Sequence, residues 1–275
     1  MRSEILAIKL IAVDLNGTLL HNDQSFNRSL FQTTLAALDQ DGVRVVLSSG
    51  NQYDHLRSLF KDVMADNLAV IAENGASIYW RDRLLFDGSL SAEALNHFLT
   101  VDRQADCLQE AYIILTGAHG SYTEKGAPQP LIEAAEKFYD HLQLVDDLTT
   151  VTDQIKKISV SVLPGATGQT VEALNELLAG RMRAHDSGYG VVDVVAANVG
   201  KLPAVQWLAK EWQLEAAEIM AFGDGANDGP LLAYAGTGIA MQNAPAKIQA
   251  LADQVTAWDN EQDGVLKTIQ SQLLA

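Results

Sequence analysis

Cysteine occurs once in 275 residues, at Cys107. A single thiol excludes an internal disulfide framework and fits a reducing, cytoplasmic setting. Positive charge is also scarce, with 19 Lys and Arg against 35 Asp and Glu and a formal net charge of -16. Such a field disfavours nucleic acid and anionic membrane as partners and slows the approach of anionic substrates, so a phosphate ligand would need a local cation. Long apolar runs are missing too. The N-terminal one is interrupted by Lys9 and Asp14, is too short to span a bilayer and carries no small-residue cleavage pattern, so an unprocessed cytoplasmic chain is expected. No internal repeat or low-complexity tract occurs.

Nucleotide-binding signatures are absent as well. Gly223-Asp224-Gly225-Ala226-Asn227-Asp228 begins like a dinucleotide fingerprint but places Asp where a small residue is needed. Gly200-Lys201 lacks the earlier glycine of a phosphate-cradling P-loop. Around Asp14, Asn16 and Thr18 the spacing echoes a calcium loop, yet Gly17 is misplaced and no Glu closes the coordination. Ser49 has no recognisable histidine partner for serine-hydrolase chemistry among the six histidines. His21 reads as a solvated loop residue, and Tyr79, Trp80 and Phe86 as the packing of a hairpin.

What remains is an α/β pattern. Apolar residues make up 48% of the chain, enough to bury one large domain, or a core with a smaller insert. Lys9-Leu10-Ile11-Ala12-Val13 reads as a buried strand ending at Asp14, and Leu30, Phe31, Leu35 and Leu38 recur at helical spacing. Arg44 to Leu47 is a second strand ending in Ser48-Ser49-Gly50. A helix through Leu56, Leu59, Phe60 and Val63 follows, then a strand from Leu68 to Ala72 and the polar turn Glu73-Asn74-Gly75. This alternation predicts a doubly wound parallel sheet.

The pattern loosens between Asp87 and Gly188. Strands at Ala111 to Leu115 and Ile158 to Val162 mix there with helices at Leu131 to Leu142 and Val171 to Leu178, as in an inserted α+β domain. Ser159 and Ser161 alternate with Ile158, Val160 and Val162, which predicts a sheet with one face covered and one open to solvent or ligand. Core character is expected to return with Gly190 to Val195, a helix from Leu202 through Trp212, the strand Ile219 to Phe222 and a last strand from Thr237 to Met241. The expected division is therefore 1–86 and 189–275 as core, with 87–188 as insert.

In such sheets ligands bind outside the carboxyl ends of the strands. Asp14, Ser49, Lys201 and the pair Asp224 and Asp228 would meet on that edge. Asp14 and Asp224 are hard oxygen ligands of the kind Mg²⁺ prefers. Lys201 would offset phosphate charge, Ser49 could donate its hydroxyl, and the Gly50-Asn51 backbone could add N–H groups. Each residue alone also fits an ordinary cap or turn; together they form a phosphoryl-transfer constellation.

The same residues resemble the haloacid dehalogenase superfamily, whose motifs occur in order as Asp14-Leu15-Asn16-Gly17-Thr18, Ser49, Lys201 and Gly223 to Asp228. Ser48 to Tyr53, Ala72-Glu73-Asn74-Gly75-Ala76 and the position of the insert are similar to the Cof-type subgroup, particularly its bacterial sugar phosphatases. The resemblance implies a Rossmann-like core with an inserted cap, Mg²⁺ dependence and hydrolysis of small phosphate monoesters through an aspartyl-phosphate. It makes Asp14 nucleophile and metal ligand, with the Asn16 backbone carbonyl and Asp224 as further ligands and Asp228 steadying the metal's water shell or Lys201. Ser49, Lys201 and Asn227 would hold the phosphoryl group.

Asn16 departs from the pattern, because the family's phosphatases carry Asp there as general acid and base. Metal binding should survive and turnover should suffer. A natural weakly active member, a deliberate substitution and an Asn-Gly turn that deamidates all fit. The expected function is a sugar-phosphate phosphatase acting on a small phosphorylated metabolite, with a non-catalytic phosphometabolite-binding protein or a sugar phosphomutase as alternatives. Substrate choice is assigned to the insert, at the loops around Gly117 to Ser121 and Asp186 to Tyr189.

Overall fold

The computed structural model describes residues 8–274 except 138, 140, 164 and 189. The N-terminal segment before residue 8, and Tyr189 of the second expected substrate loop, lie outside the described residues. The chain begins with β1 (Leu10–Asp14), α1 (Arg28–Gln40), β2 (Arg44–Ser48), α2 (Tyr53–Phe60), β3 (Leu68–Ala72), β4 (Ser77–Trp80) and β5 (Arg83–Asp87). It continues through α3 (Ala92–Gln104), β6 (Tyr112–Gly117), β7 (Ser121–Glu124), α4 (Gln129–Ala135), β8 (Leu142–Val145), β9 (Ile155–Ser161), α5 (Thr167–Leu177), β10 (Met182–Asp186) and β11 (Val191–Ala196). It closes with α6 (Lys201–Glu211), β12 (Ile219–Gly223), α7 (Gly229–Tyr234), β13 (Thr237–Ala240), α8 (Ala246–Gln249), β14 (Gln254–Val255) and α9 (Gly264–Leu273).

The first sheet has the order β14-β13-β12-β1-β2-β3-β4-β5. It is parallel from β14 to β3, and the β4–β5 hairpin adds an antiparallel edge. All five residues of β1 and of β3 are buried, as a parallel sheet covered on both faces requires. In α1 the buried positions are Phe31, Thr34, Leu35 and Leu38, the one-face spacing of a helix lying on a sheet. The hairpin aromatics pack as expected: the Tyr79 ring stacks on Tyr53, and Arg44 lies over both Trp80 and Trp212.

The second sheet has the order β10-β11-β9-β6-β7-β8, antiparallel except for the β7–β8 pair. Here the structure corrects two expectations. The run Val191–Ala196 does not return to the core but pairs antiparallel with β9 and β10, so the chain rejoins the first layer only at α6. A valine-rich run buried on both faces reads the same in either sheet, and nothing local says which partner it takes. The helix expected to extend to Leu142 stops at Ala135, and Leu142 begins β8. The face of β9 carrying Lys157 and Ser159 meets the ligand side of its expectation and not the solvent side: both side chains are buried, because that face is turned onto the core, where Lys157 bonds the Gly50 carbonyl.

On α3, burial pushes the Asp102 carboxyl up to about 6, helped by the Glu124 charge and opposed by Arg103. Its folded value lies above its ordinary 3.8, so the native state holds the proton more tightly. The stabilising contribution is therefore complete below about 3.8 and is lost as pH rises through about 6. Asp102→Asn is expected to stabilise the protein by about 1 kcal/mol at pH 7.5, after allowance for solvent screening, and to change little at pH 4. Urea unfolding at the two pH values checks this, and an equal gain at both would refute it.

Candidate active site

Asp14 is the last residue of β1, Ser49 follows β2, and Asp224 follows β12, so three neighbouring parallel strands deliver polar groups to one edge. Lys201 comes from the start of a helix instead. It opens α6, and its ammonium is buried between Asp14 Oδ1 at 2.5 Å and Asp228 Oδ1 at 2.6 Å. The other oxygen of Asp228 accepts the backbone N–H groups of Asp224 and Gly225, closing the turn after β12. Asp228 thus fixes both Lys201 and the loop that carries Asp224.

Thr18 donates its hydroxyl to Asp224 Oδ1 at 3.0 Å and aims that carboxylate toward Asp14. Gly17 between them has a left-handed φ of +75°, and a Cβ there would lie 2.4 Å from Asp224 Oδ2. Both conditions demand glycine at the turn. Oxygens of Asp14, Asp224 and Asp228 lie within 4.8 Å of one another. Burial pushes all three carboxyls above their ordinary range, Asp228 up to about 6, and their mutual repulsion adds to it. Asp14 and Asp228 share the buried Lys201 ammonium while Asp224 has the Thr18 hydroxyl, so the donor set has hard oxygens in excess of positive charge. That chemistry fits a divalent cation such as Mg²⁺.

Asn16 lies just beyond Asp14, and its Oδ1 is buried without a hydrogen-bonding partner. On the opposite wall, buried Ser49 accepts the Asn51 backbone N–H at its hydroxyl oxygen, while Asn51 Nδ2 is unpartnered. Of the two N–H groups expected from the Gly50-Asn51 backbone, that of Asn51 is therefore already used. Asn227 donates to Asn74 Oδ1 at 3.3 Å, and Asn74 donates to Asp193 Oδ2 at 2.7 Å. The structure brings all the expected residues to one end of the first sheet.

Residues of the second sheet complete the enclosure; of these, Lys157, Asp193 and His185 belong to no motif in the sequence. Asp193 accepts hydrogen bonds from Lys157, Ser159 and Ser187, and these hold its carboxyl below the usual range despite burial. His185, opposite Asp193 in the sheet, has both ring nitrogens buried without partners, and burial pulls its pKa to about 4. It is neutral at physiological pH. One signal was present: a carboxylate inside Val191-Val192-Asp193-Val194-Val195 is too costly to bury unpaired and had to have partners elsewhere.

A fold of this topology, with its acidic cluster at the strand ends beneath a second sheet, is that of the haloacid dehalogenase-like hydrolases. The model of that family matches residues 11–269, and the chain belongs to it, in the Cof-type subgroup. Among its relatives is the 5-amino-6-(5-phospho-D-ribitylamino)uracil phosphatase YbjI of Escherichia coli K12, 33% identical, the alignment covering 98% of this chain and 97% of that protein. The phosphatase YitU of Bacillus subtilis 168, named for the same substrate, is 26% identical over 95% of this chain and 96% of its own. A crystal structure from Streptococcus mutans UA159 superposes with a TM-score of 0.92 at 29% identity, covering 98% of this chain and 100% of that one. Among the described residues no helix is long and apolar enough to cross a membrane.

Proposed function

We propose that the chain is an Mg²⁺-dependent phosphatase of small phosphate monoesters whose leaving group is a sugar or sugar alcohol. The observation that carries this reading is the buried cluster of Asp14, Lys201, Asp224 and Asp228 at the strand ends. Asp14, the Asn16 backbone carbonyl and Asp224 would hold the ion, which supplies charge neutralisation for the transferring phosphoryl group. Lys201, Ser49 and Asn227 would bind that group, with Gly50 and Asn51 lining its wall. An Asp14 oxygen attacks phosphorus while the bond to the ester oxygen breaks. The Asn16 amide has no acidic proton to give, so the leaving oxygen takes one from water. A second water then attacks phosphorus, its proton passing to solvent, which releases inorganic phosphate and restores the carboxylate.

The substrate class draws on the relatives named as phosphatases of a phosphorylated ribitylaminouracil. Phosphate release from that compound, ribose 5-phosphate and glucose 6-phosphate is expected with Mg²⁺ and is expected to fall to background when EDTA removes the metal. Release that persists unchanged in EDTA would overturn the metal's role. Asn16 favours a second reading, a phosphometabolite-binding protein without turnover. That reading stands if the same esters bind in the presence of Mg²⁺ but release no phosphate.

A further inference from the structure

Three successive carbonyls of the loop that follows β2 are held in two different ways. The Ser49 carbonyl accepts the Asn74 N–H at 2.9 Å and the Asn51 carbonyl accepts the Glu73 N–H at 3.0 Å, both from the turn after β3 in the core. The Gly50 carbonyl between them takes its hydrogen bond from the second sheet, where Lys157 on β9 donates to it at 2.9 Å.

Gly50 makes that bond matter. A Cβ there would crowd Asn74 Nδ2 at 3.0 Å, which favours glycine, and a glycine lets the next peptide turn against little steric resistance. The peptide joining Gly50 to Asn51 is planar and trans, so its carbonyl and its N–H point opposite ways. Lys157 holds the carbonyl on one side, and on the other the Asn51 N–H donates to Ser49 Oγ at 3.1 Å. Ser49 then has its oxygen engaged as an acceptor and its single proton left to donate. A flip of the peptide would turn the carbonyl toward Ser49 and draw that proton away.

Lys157 is itself fixed. Its ammonium bonds Asp193 Oδ2 at 3.1 Å, and both side chains are buried. Burial works against the charge on Lys157, but the Asp193 carboxylate more than offsets it, so the ammonium stays protonated. The adjacent Lys156 is engaged elsewhere, with Asp87 Oδ1 at 2.6 Å.

The geometry points to Lys157 as a positioning residue for phosphoryl transfer: it fixes the Gly50–Asn51 peptide and thereby sets the Ser49 hydroxyl as a donor to the phosphoryl group. The inference rests on the reading of Ser49 as a phosphoryl-binding group. Since Lys157 belongs to the second sheet, Ser49 is set as a donor only while that sheet is docked on the core. The effect acts on the phosphoryl group, so it is the same whatever the leaving group.

The test is a double-mutant cycle between two side chains that are joined only through the peptide. With Mg²⁺, Ser49→Ala is expected to lower kcat/KM by about 10- to 100-fold and Lys157→Met by about 10-fold, for ribose 5-phosphate and glucose 6-phosphate alike. In the Ser49→Ala background, Lys157→Met should cost no more than about twofold further. A full, additive loss in that background overturns the inference, and so does a loss confined to one ester, which would mark a contact with the leaving group. Hydrogen exchange at the Asn51 amide reads the positioning without turnover. In Lys157→Met that amide should exchange about tenfold faster or more while those of β1 and β2 stay within about twofold. An unchanged Asn51 amide, or equal acceleration throughout the sheet, rejects the inference. Should Lys157→Met fail to fold because it strands the Asp193 charge, Lys157→Met combined with Asp193→Asn, which removes both charges, replaces it in both measurements. If no ester releases phosphate, the phosphatase reading fails while the exchange still decides whether Lys157 fixes the peptide.

Discussion

Asn16→Asp is expected to raise the rate of phosphate release by about 10²- to 10⁴-fold, the usual worth of general acid–base help. Asn16 follows Asp14 by two residues, and its Oδ1 is buried and unpartnered. A carboxyl of the same shape at that position can protonate the leaving oxygen and then take a proton from the attacking water. The amide can do neither. Mg²⁺ affinity should change far less, because the ligand proposed at this position is a backbone carbonyl. The experiment compares kcat for one sugar phosphate in the two proteins at saturating Mg²⁺, using freshly purified material so that deamidation of Asn16-Gly17 does not blur the difference. A variant no faster than the parent on every ester would remove Asp/Asn chemistry at position 16 from the mechanism.

Lys201→Met should cost more than any other single change at the site. Its ammonium is hydrogen-bonded to both Asp14 and Asp228, and all three groups are buried. Removing one partner from such a cluster leaves uncompensated charge in a low-dielectric environment, worth about 3–5 kcal/mol. In metal-free buffer the loss should be largest above the Asp228 value of about 6 and should shrink at lower pH, where that carboxyl takes up a proton. Chemical unfolding at pH 7.5 and pH 5 in EDTA measures it. Mg²⁺ should recover part of the stability, since a divalent ion supplies the missing positive charge, but not phosphate release, which needs the cation held against the phosphoryl oxygens. A variant as stable as the parent at both pH values would mean that the three carboxylates do not depend on Lys201.

The parallel strands of the first sheet were legible because each is a short apolar run ending at a polar turn, and α1 because its buried residues recur with a helix's period. Legibility failed where the same local pattern serves two purposes. Val191 to Val195 is as good a strand in an antiparallel sheet as in a parallel one, and only its pairing with Ile158 to Ser161 fixes it in the cap. The strands β7 and β8 are only four residues each, too short for a period to stand out from loops, and whether the serine face of β9 meets solvent or the core depends on how one sheet packs on the other.

The sequence by itself determined the chemistry at the strand ends: Asp14, Ser49, Lys201 and the Gly223 to Asp228 turn are motif residues, and their spacing predicted their convergence. It also carries the expectation of slow turnover at Asn16, because an amide offers no acidic proton and no basic oxygen for proton transfer. Tertiary structure alone decided what encloses them. Lys157 and Asp193 meet the core only because the second sheet folds back onto it, where Lys157 bonds the Gly50 carbonyl and Asp193 accepts the Asn74 side chain. Period and motif are properties of neighbours along the chain, whereas desolvation of a polar group depends on everything packed around it.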